Sequence, residues 1–430
     1  MTPSARLQAA IELLSNVEGS SYPSDGVVQK YFRTRRFIGS KDRKAIGNRV
    51  WRLVRHRARL AWQLDEMAPT TRMRVLADCV VNEATDLADL RDLCSGKTYA
   101  PPPITDKELT LLVAALSRDL SIAPTHVLVE CPDWLWPYFT DLYGDQTEIE
   151  IRALSKEAPF DLRVNTIKID RDTARVALAD EGLVSSNTPF SPFGLRLTGR
   201  TALGNSKAFT QGLIEIQDEG SQLAALMAET FAEHQVLDLC AGAGGKALAL
   251  AAAMGGSGRI VACDLHAGRL NKAKLRLKRA GVHSVTTRVL DPKNCNWLNK
   301  RRKSFDRVLI DAPCSGTGAW RRQPDARWRL TPGDLDKHIA TQNALLAQGG
   351  RMVMPGGRLI YVTCSLLRQE NEDRISSFLE RHEHFRPLSV ADIWKRVLGT
   401  RYPGRGKYLR LSPRRHHTDG FFVAVLEREK

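Results

Sequence analysis

Hydrophobic positions recur along this chain with two different periods, and the change between them divides it. Near the amino terminus Leu7, Ala10, Ile11, Leu14 and Val17 lie three and four residues apart, which puts one apolar face on a helix. Ile46, Val50 and Leu53-Val54 continue that spacing, and the sequence predicts helices to about residue 125. The proline run Tyr99-Ala-Pro-Pro-Pro-Ile104 reads as a loop inside this region. Further on the pattern shortens to aliphatic and β-branched runs: Gln235 to Leu239, Arg259 to Asp264, Thr286 to Leu290, Arg307 to Asp311 and Arg358 to Thr363. Helical stretches separate them, as in a doubly wound α/β sheet.

Between these regions the signals are mixed. Asp161-Leu-Arg-Val-Asn165 reads as a strand and turn, Asp170 to Glu181 as a helix, and Phe193-Gly-Leu-Arg-Leu197 as another strand. The organisation expected is therefore a helical domain at 1–125, a small α+β segment at 130–208, and an α/β domain at 209–430. Gln217-Asp-Glu-Gly-Ser-Gln222 opens the first helix of the α/β domain, and Lys407 to Leu411 with Phe421 to Leu426 form a terminal antiparallel pair.

Charge adds a partner to this picture. The chain of 430 residues carries 64 Lys and Arg against 48 Asp and Glu, a net +16, which points to a polyanion. Between Lys30 and Arg59 lie twelve basic residues and one acid, with Tyr31, Phe32, Phe37 and Trp51 interleaved. Phosphate contacts explain such an imbalance, and Arg33, Arg35, Arg36, Arg43 and Lys44 are the residues expected to bind a nucleic-acid backbone. Lys395 to His417 holds eight more Lys or Arg and no acid, and a third basic patch runs from Arg269 to Arg279. No apolar run approaches a membrane span, and Met1-Thr-Pro-Ser-Ala-Arg-Leu lacks a signal-peptide layout. The eight cysteines form no CxxC pair, so reduced thiols and no metal are expected. A cytoplasmic monomer is the expectation.

Two cysteines stand out by position. Cys314, in Asp311-Ala-Pro-Cys-Ser-Gly-Thr-Gly318, and Cys364, in Thr363-Cys-Ser365, each follow a predicted parallel strand. Ligands of such sheets bind at the carboxyl ends of the strands, so two thiols and the Asp311 carboxylate should meet in one cleft. That set suits attack on a ring carbon. Upstream, the loop Cys240, Ala241, Gly242, Ala243, Gly244, Gly245 and Lys246 lies between a strand and an alanine-rich helix, where backbone N–H groups can approach a ligand closely. Asp264 ends the next strand, as expected of an acid that holds ribose hydroxyls. Asp291 and Arg269 complete the predicted cofactor set. A glycine loop alone also fits a dinucleotide oxidoreductase, but no hydride-transfer motif accompanies it. The cysteines need a carbon donor, and S-adenosylmethionine is the cofactor expected.

Together, Leu237-Asp-Leu-Cys240 with Gly244-Gly-Lys246, Asp311 to Gly318, Thr363-Cys-Ser365, Arg321-Arg-Gln-Pro-Asp325 with Trp328, and Thr418-Asp-Gly-Phe-Phe422 resemble the Sun/Nop family of RNA cytosine-5 methyltransferases. Gly242-Ala243 stands where that family has Ala-Pro, and Ala247 where it has Thr. The resemblance implies a Rossmann-like methyltransferase sheet and, from Asp42-Arg43 and the apolar spacing after it, a NusB-like helical domain. Spacing leaves open which thiol attacks, and DNA cytosine methyltransferases would favour the Pro-Cys residue, Cys314. The resemblance assigns attack to Cys364 and product release to Cys314, with Asp311 and Lys246 assisting. Small-subunit ribosomal RNA is the substrate expected, with transfer RNA or an inactive RNA-binding assembly factor as alternatives.

Overall fold

A computed structural model of the chain describes residues 1–20, 22–66, 68–199, 201–291 and 296–430. It divides into two units, Met1–Lys156 with Trp320–Leu330, and Glu157–Ala319 with Thr331–Lys430.

The first unit is helical. Its opening helix, Pro3–Glu18, starts where the Thr2 side chain accepts the Ala5 N–H, and it buries Leu7, Ala10, Leu13, Leu14 and Val17. These pack in one core with Ile46, Val50 and Leu53 of the helix Ser40–Arg55 and Val75 and Leu76 of the helix Thr71–Val81. The proline run lies between Leu87–Leu93 and Asp106–Ser117, whose start is closed by a reciprocal Thr105–Glu108 cap. This unit runs past residue 125, through the helices Trp136–Tyr143 and Thr147–Ala153. Helices of two turns show too little periodicity to be assigned from pattern.

A distant piece of chain completes that unit. Trp320 is fully buried and meets Phe139 edge-on at 5.7 Å. Arg327, also fully buried, donates to the Glu130 and Leu154 carbonyls at 2.9 and 3.0 Å. Trp328 Nε1 donates to Val54 O at 2.9 Å. The motif Arg321 to Trp328 is thus part of the core of the helical unit.

Two sheets build the second unit. The smaller comprises β1 (Phe160–Val164), β2 (Ser185–Asn187), β3 (Gly194–Leu197) and β4 (Ile214–Ile216), antiparallel in the order β2-β3-β1-β4. With helices Arg171–Asp180 and Lys207–Thr210 it makes a β-α-β-β-α-β pattern. A segment ending at 208 omits β4, because three-residue strands are too short to show alternation. The larger sheet has β5 (Gln235–Asp238), β6 (Arg259–Asp264), β7 (Val285–Val289), β8 (Phe305–Asp311), β9 (Val353–Thr363), β10 (Phe385–Pro387), β11 (Leu409–Leu411) and β12 (Phe421–Arg428). Its order is β10-β12-β9-β8-β5-β6-β7, with β11 also on β12. β5 to β9 are mutually parallel, and β12 inserts antiparallel beside β9. The chain runs outward from β5 to β7 on one side and resumes with β8 on the other. The crevice at that switch point is where such sheets bind ligands.

Candidate active site

The cleft at the carboxyl ends of β5, β6 and β8 has a volume of about 1340 Å³. Its lining includes the loop from Cys240 to Ala243, Gly245 and Lys246, together with Asp264, Arg269, Asp291, Asp311 and Cys314. The glycine loop owes its shape to left-handed backbone at Gly242 (φ 55°) and Gly244 (φ 79°). A Cβ at Gly244 would stand 2.9 Å from that of Ala273, so both conformation and space require glycine there. Gly244 is the N-cap of the helix Gly245–Ala253, whose first-turn N–H groups form the positive end of its dipole. Asp264 accepts the Gly242 N–H at 2.9 Å and the His266 N–H at 2.7 Å.

Polar residues of the small sheet hold this loop. Arg163, buried in β1, donates to Gln217 Oε1 at 2.6 Å and to Gly245 O at 3.0 Å. Burial lowers its guanidinium to about 9. Arg276 donates to Ala243 O at 2.8 Å and pairs with Glu215 at 2.5 Å. Part of the basic patch at 269–279 is therefore spent on folding. Sequence reasoning did not single out Arg163 or Gln217, although an arginine inside an otherwise buried strand is a signal for such a partner.

Three carboxylates and one ammonium form the floor of the charge distribution. Lys246 Nζ lies 2.7 Å from Asp311 Oδ2 and 5.2 Å from the centre of the Phe421 ring. Asp238 is fully buried and neither of its oxygens has a hydrogen-bond partner of full geometry. Burial and the nearby Asp311 push its carboxyl up to about 8, with Lys246 and the Cys240 N–H pulling the other way. The Cys240 thiol is raised by burial and by the same three acids, Asp238, Asp311 and Asp264, which makes it inert.

The thiols of Cys314 and Cys364 stand 3.5 Å apart, sulfur to sulfur, beyond the ends of adjacent strands β8 and β9. The hydrogen bond to Cys364 and burial raise the Cys314 thiol well above its ordinary value. Their loops are fastened by a buried polar network. Gly318 N donates to Cys364 O at 2.9 Å, and Gly420 N to Gly318 O at 2.9 Å. Thr317 Oγ1 accepts the Leu366 N–H at 2.8 Å, Ser315 and Ser365 hydroxyls meet at 3.1 Å, and Thr363 donates to Asn371 at 2.6 Å. Glu370, fully buried, accepts the Ser315 N–H at 2.8 Å and Gln342 Nε2 at 3.0 Å, and takes the Ser315 hydroxyl as well. Glu370, Asn371 and Gln342 were not among the residues expected from sequence. An acid just before a helix reads as a cap, and only the fold reveals that it faces Ser315.

The five residues expected to bind RNA lie in the helical unit. Arg33, Arg36 and Lys44 are exposed. Arg35 stacks on Tyr31 at 4.0 Å, and Arg43 Nε donates to Ile38 O at 2.7 Å. Later arginines of the basic block are internal ties: Arg52 binds Asp78 at 2.9 Å, and Arg59 donates to Leu128 O at 3.0 Å. Among the described residues no helix is long and apolar enough to cross a membrane, and no cluster of three or more His, Cys, Asp or Glu could hold a metal.

Two family descriptions match the chain: 16S rRNA methyltransferase RsmB/F over residues 225–427, and an RsmF/B-like ferredoxin-like domain over residues 131–203. The probable ribosomal RNA small subunit methyltransferase B of Synechocystis is 35% identical over 299 residues, 69% of this chain. That match spans 66% of the Synechocystis protein, just under two thirds of its length. The ribosomal RNA small subunit methyltransferase B of Pseudomonas putida is 31% identical over 82% of this chain and 78% of its own. Among solved structures, PH0851 superposes with a TM-score of 0.79 at 26% identity, covering 100% of this chain and 99% of that one. A methyltransferase homologue from Pyrococcus horikoshii gives 0.61 at 27% identity, over 72% of this chain and all of the other (100%).

Proposed function

The chain belongs to the 16S rRNA methyltransferase RsmB/F family, and from that premise we propose that it methylates carbon-5 of a cytosine in small-subunit ribosomal RNA through a covalent adduct with Cys364. The observation that carries the reading is the pair of thiols 3.5 Å apart at adjacent strand ends, beside the Lys246–Asp311 ion pair.

The residues present fit S-adenosylmethionine. A carboxylate offers about four acceptor sites. Backbone N–H groups take two hydrogen bonds at Asp264, which leaves room for ribose hydroxyls. Gly242 borders the cleft with no atom within 4 Å of where a Cβ would stand. Gly242 to Lys246, Asp264, Arg269 and Asp291 would hold the cofactor, which supplies an electrophilic methyl group.

The protein's own part follows from the weakness of cytosine carbon-5 as a nucleophile. Addition of the Cys364 thiolate to the adjacent ring carbon makes carbon-5 enamine-like and able to attack. As charge builds at the ring nitrogen it takes a proton from water, and the Asp311 carboxylate, fixed by Lys246, would hold that proton there by accepting the N–H. Cys314, which keeps its proton at neutral pH, stays out of the attack and serves the later step: water takes the carbon-5 proton, that bond's electron pair restores the ring double bond, and Cys364 leaves as a thiolate whose charge the Cys314 S–H stabilises from 3.5 Å. The exposed Arg33, Arg36 and Lys44, with Arg35 and Arg43, would position the RNA by its phosphates.

Bisulfite sequencing of ribosomal and transfer RNA from strains with and without the gene tests this. One small-subunit cytosine should lose its protection in the deletion strain. Loss confined to a transfer RNA would reassign the substrate, and no loss in either would refute the activity.

A further inference from the structure

Two thiols 3.5 Å apart pose a question that the pair alone does not answer: which sulfur would carry the charge once one proton is lost. Both follow parallel strands, both are partly buried, and their loops are joined by Gly318 N donating to Cys364 O and Leu366 N donating to Thr317 Oγ1. We propose that Glu370 settles it: its buried carboxylate, anchored on the residue after Cys314, keeps the proton on Cys314 and leaves Cys364 as the thiolate. Glu370 is thus a positioning residue for the proton, acting through Cys314 and touching neither substrate nor cofactor. The inference rests on the covalent mechanism proposed above and adds what makes the two cysteines unequal.

The carboxylate's own hydrogen bonds fall on the Cys314 side, whereas the neighbours of Cys364 are held by the neutral amide of Asn371, which accepts the Thr363 hydroxyl at 2.6 Å and donates to Ser365 O at 2.9 Å. Glu370 Oε1 accepts the N–H of Ser315, next in chain to Cys314, at 2.8 Å, and Oε2 takes the Ser315 hydroxyl. Gln342 Nε2 bridges the same oxygen to Pro313 O, at 3.0 Å to each, so both neighbours of Cys314 are tied to this carboxylate's surroundings. A negative charge there opposes a second one on Cys314. Glu370 is among the groups that raise the Cys314 thiol. Other charged or titratable groups do not reproduce this bias. Tyr361 donates its hydroxyl to Glu370 O at 2.7 Å, and burial raises it well beyond the physiological range, so it is neutral. Arg374 is turned to Gln369 O and Asn343 at 2.7 and 3.0 Å. Asp311 is matched by Lys246 at 2.7 Å. Cys364 itself is the other half of the pair.

Alkylation of the full chain with iodoacetamide across pH 6–10, resolved into Cys314 and Cys364 peptides by mass spectrometry, reads the charge directly, since only a thiolate displaces iodide. In the wild type Cys364 should label first at neutral pH. Glu370→Gln keeps an acceptor for Ser315 N–H and Gln342 while removing the charge. The ratio of Cys364 to Cys314 labelling should fall by about threefold or more, the effect of half a pKa unit, and the Cys314 profile should move to lower pH. Glu370→Ala serves as the structural control: it should lower the thermal midpoint, which Glu370→Gln should largely keep. Three results would overturn the proposal: Cys314 labelling first in the wild type, an unchanged ratio in Glu370→Gln, or equal ratio changes in both variants with equal loss of thermal stability. The measurement needs no RNA, so its failure is separate from failure of the methylation reading, which the bisulfite comparison decides.

Discussion

Asp238 ends β5 fully buried, and its carboxyl is pushed up to about 8 by burial and by Asp311. Its value in the unfolded chain is near 4. Between those values the folded protein holds a proton that the unfolded chain has lost. Stability from this group therefore falls as pH rises through the window, and is fully regained only below about pH 4. Glu130, raised to about 7 in the helical unit, acts in the same direction, so the comparison of interest is between variant and wild type. Asp238→Asn should flatten the fall of the thermal midpoint between pH 5 and 8; an unchanged slope would show that Asp238 is ionised throughout. At the same scale, Lys246→Met should free Asp311 and lower methylation by about a hundredfold, the usual worth of a positioned acid or base, with RNA affinity retained. An unaltered rate would remove the ion pair from the mechanism. Cys314, Cys364 and Asp311 could be proposed from sequence because each stands at or just beyond the end of an apolar run, and Lys246 because it closes a glycine-rich turn. Glu370 and Arg163 could not, since their meaning depends on partners 55 and 82 residues away.

At the level of elements, the two cysteine loops depend on a close backbone approach that no periodicity could reveal. A Cβ on Gly318 would stand 2.3 Å from Gly420 O, and the two residues share a 2.9 Å backbone hydrogen bond. This contact gives a reason for the Thr418 to Phe422 motif, which the sequence supplies only as part of a family resemblance. Gly318→Ala should cost about 1–3 kcal/mol as an overpacked contact and displace the Cys314 loop. Gly316→Ala meets no atom within 4 Å, and its φ of 66° should cost only about 1 kcal/mol. Thermal midpoints of the two variants check the order; equal losses would mean that the Gly318 contact yields easily. The strands β5 to β9 were legible as apolar runs with turn residues behind them. β2, β4 and β10, each three residues long, carry no pattern that separates them from loop.

On the scale of the whole chain, neither compact unit is contiguous in sequence. The helical unit takes Trp320–Leu330 into its own core, from between the Cys314 loop and the helix Pro332–Met352. A fragment beginning at residue 157 would leave Trp320, Arg327 and Trp328 without the groups that bury them. It should aggregate or melt at lower temperature than a fragment whose segment 320–330 is replaced by a polar linker; equal behaviour would show that the segment packs independently. Charge was legible in amount but not in use, because arginine serves as readily for internal ties as for phosphates. Arg52 and Arg59 bind within the helical unit, while Arg33, Arg36 and Lys44 face solvent. Neutralising those three should weaken RNA binding and reduce the slope of log affinity against log salt by about 0.7 for each phosphate left without its cation. An unchanged slope would place the RNA-binding surface elsewhere on the molecule.

The central claim, that Cys364 attacks and Cys314 releases, is tested most directly by the covalent complex itself. Each cysteine is replaced by serine, the protein is incubated with small-subunit ribosomal RNA and S-adenosylmethionine, and the products are run on a denaturing gel. Cys314→Ser should accumulate RNA-linked protein, and Cys364→Ser should form none and methylate nothing. Accumulation in Cys364→Ser with none in Cys314→Ser would contradict the account and reverse the two roles.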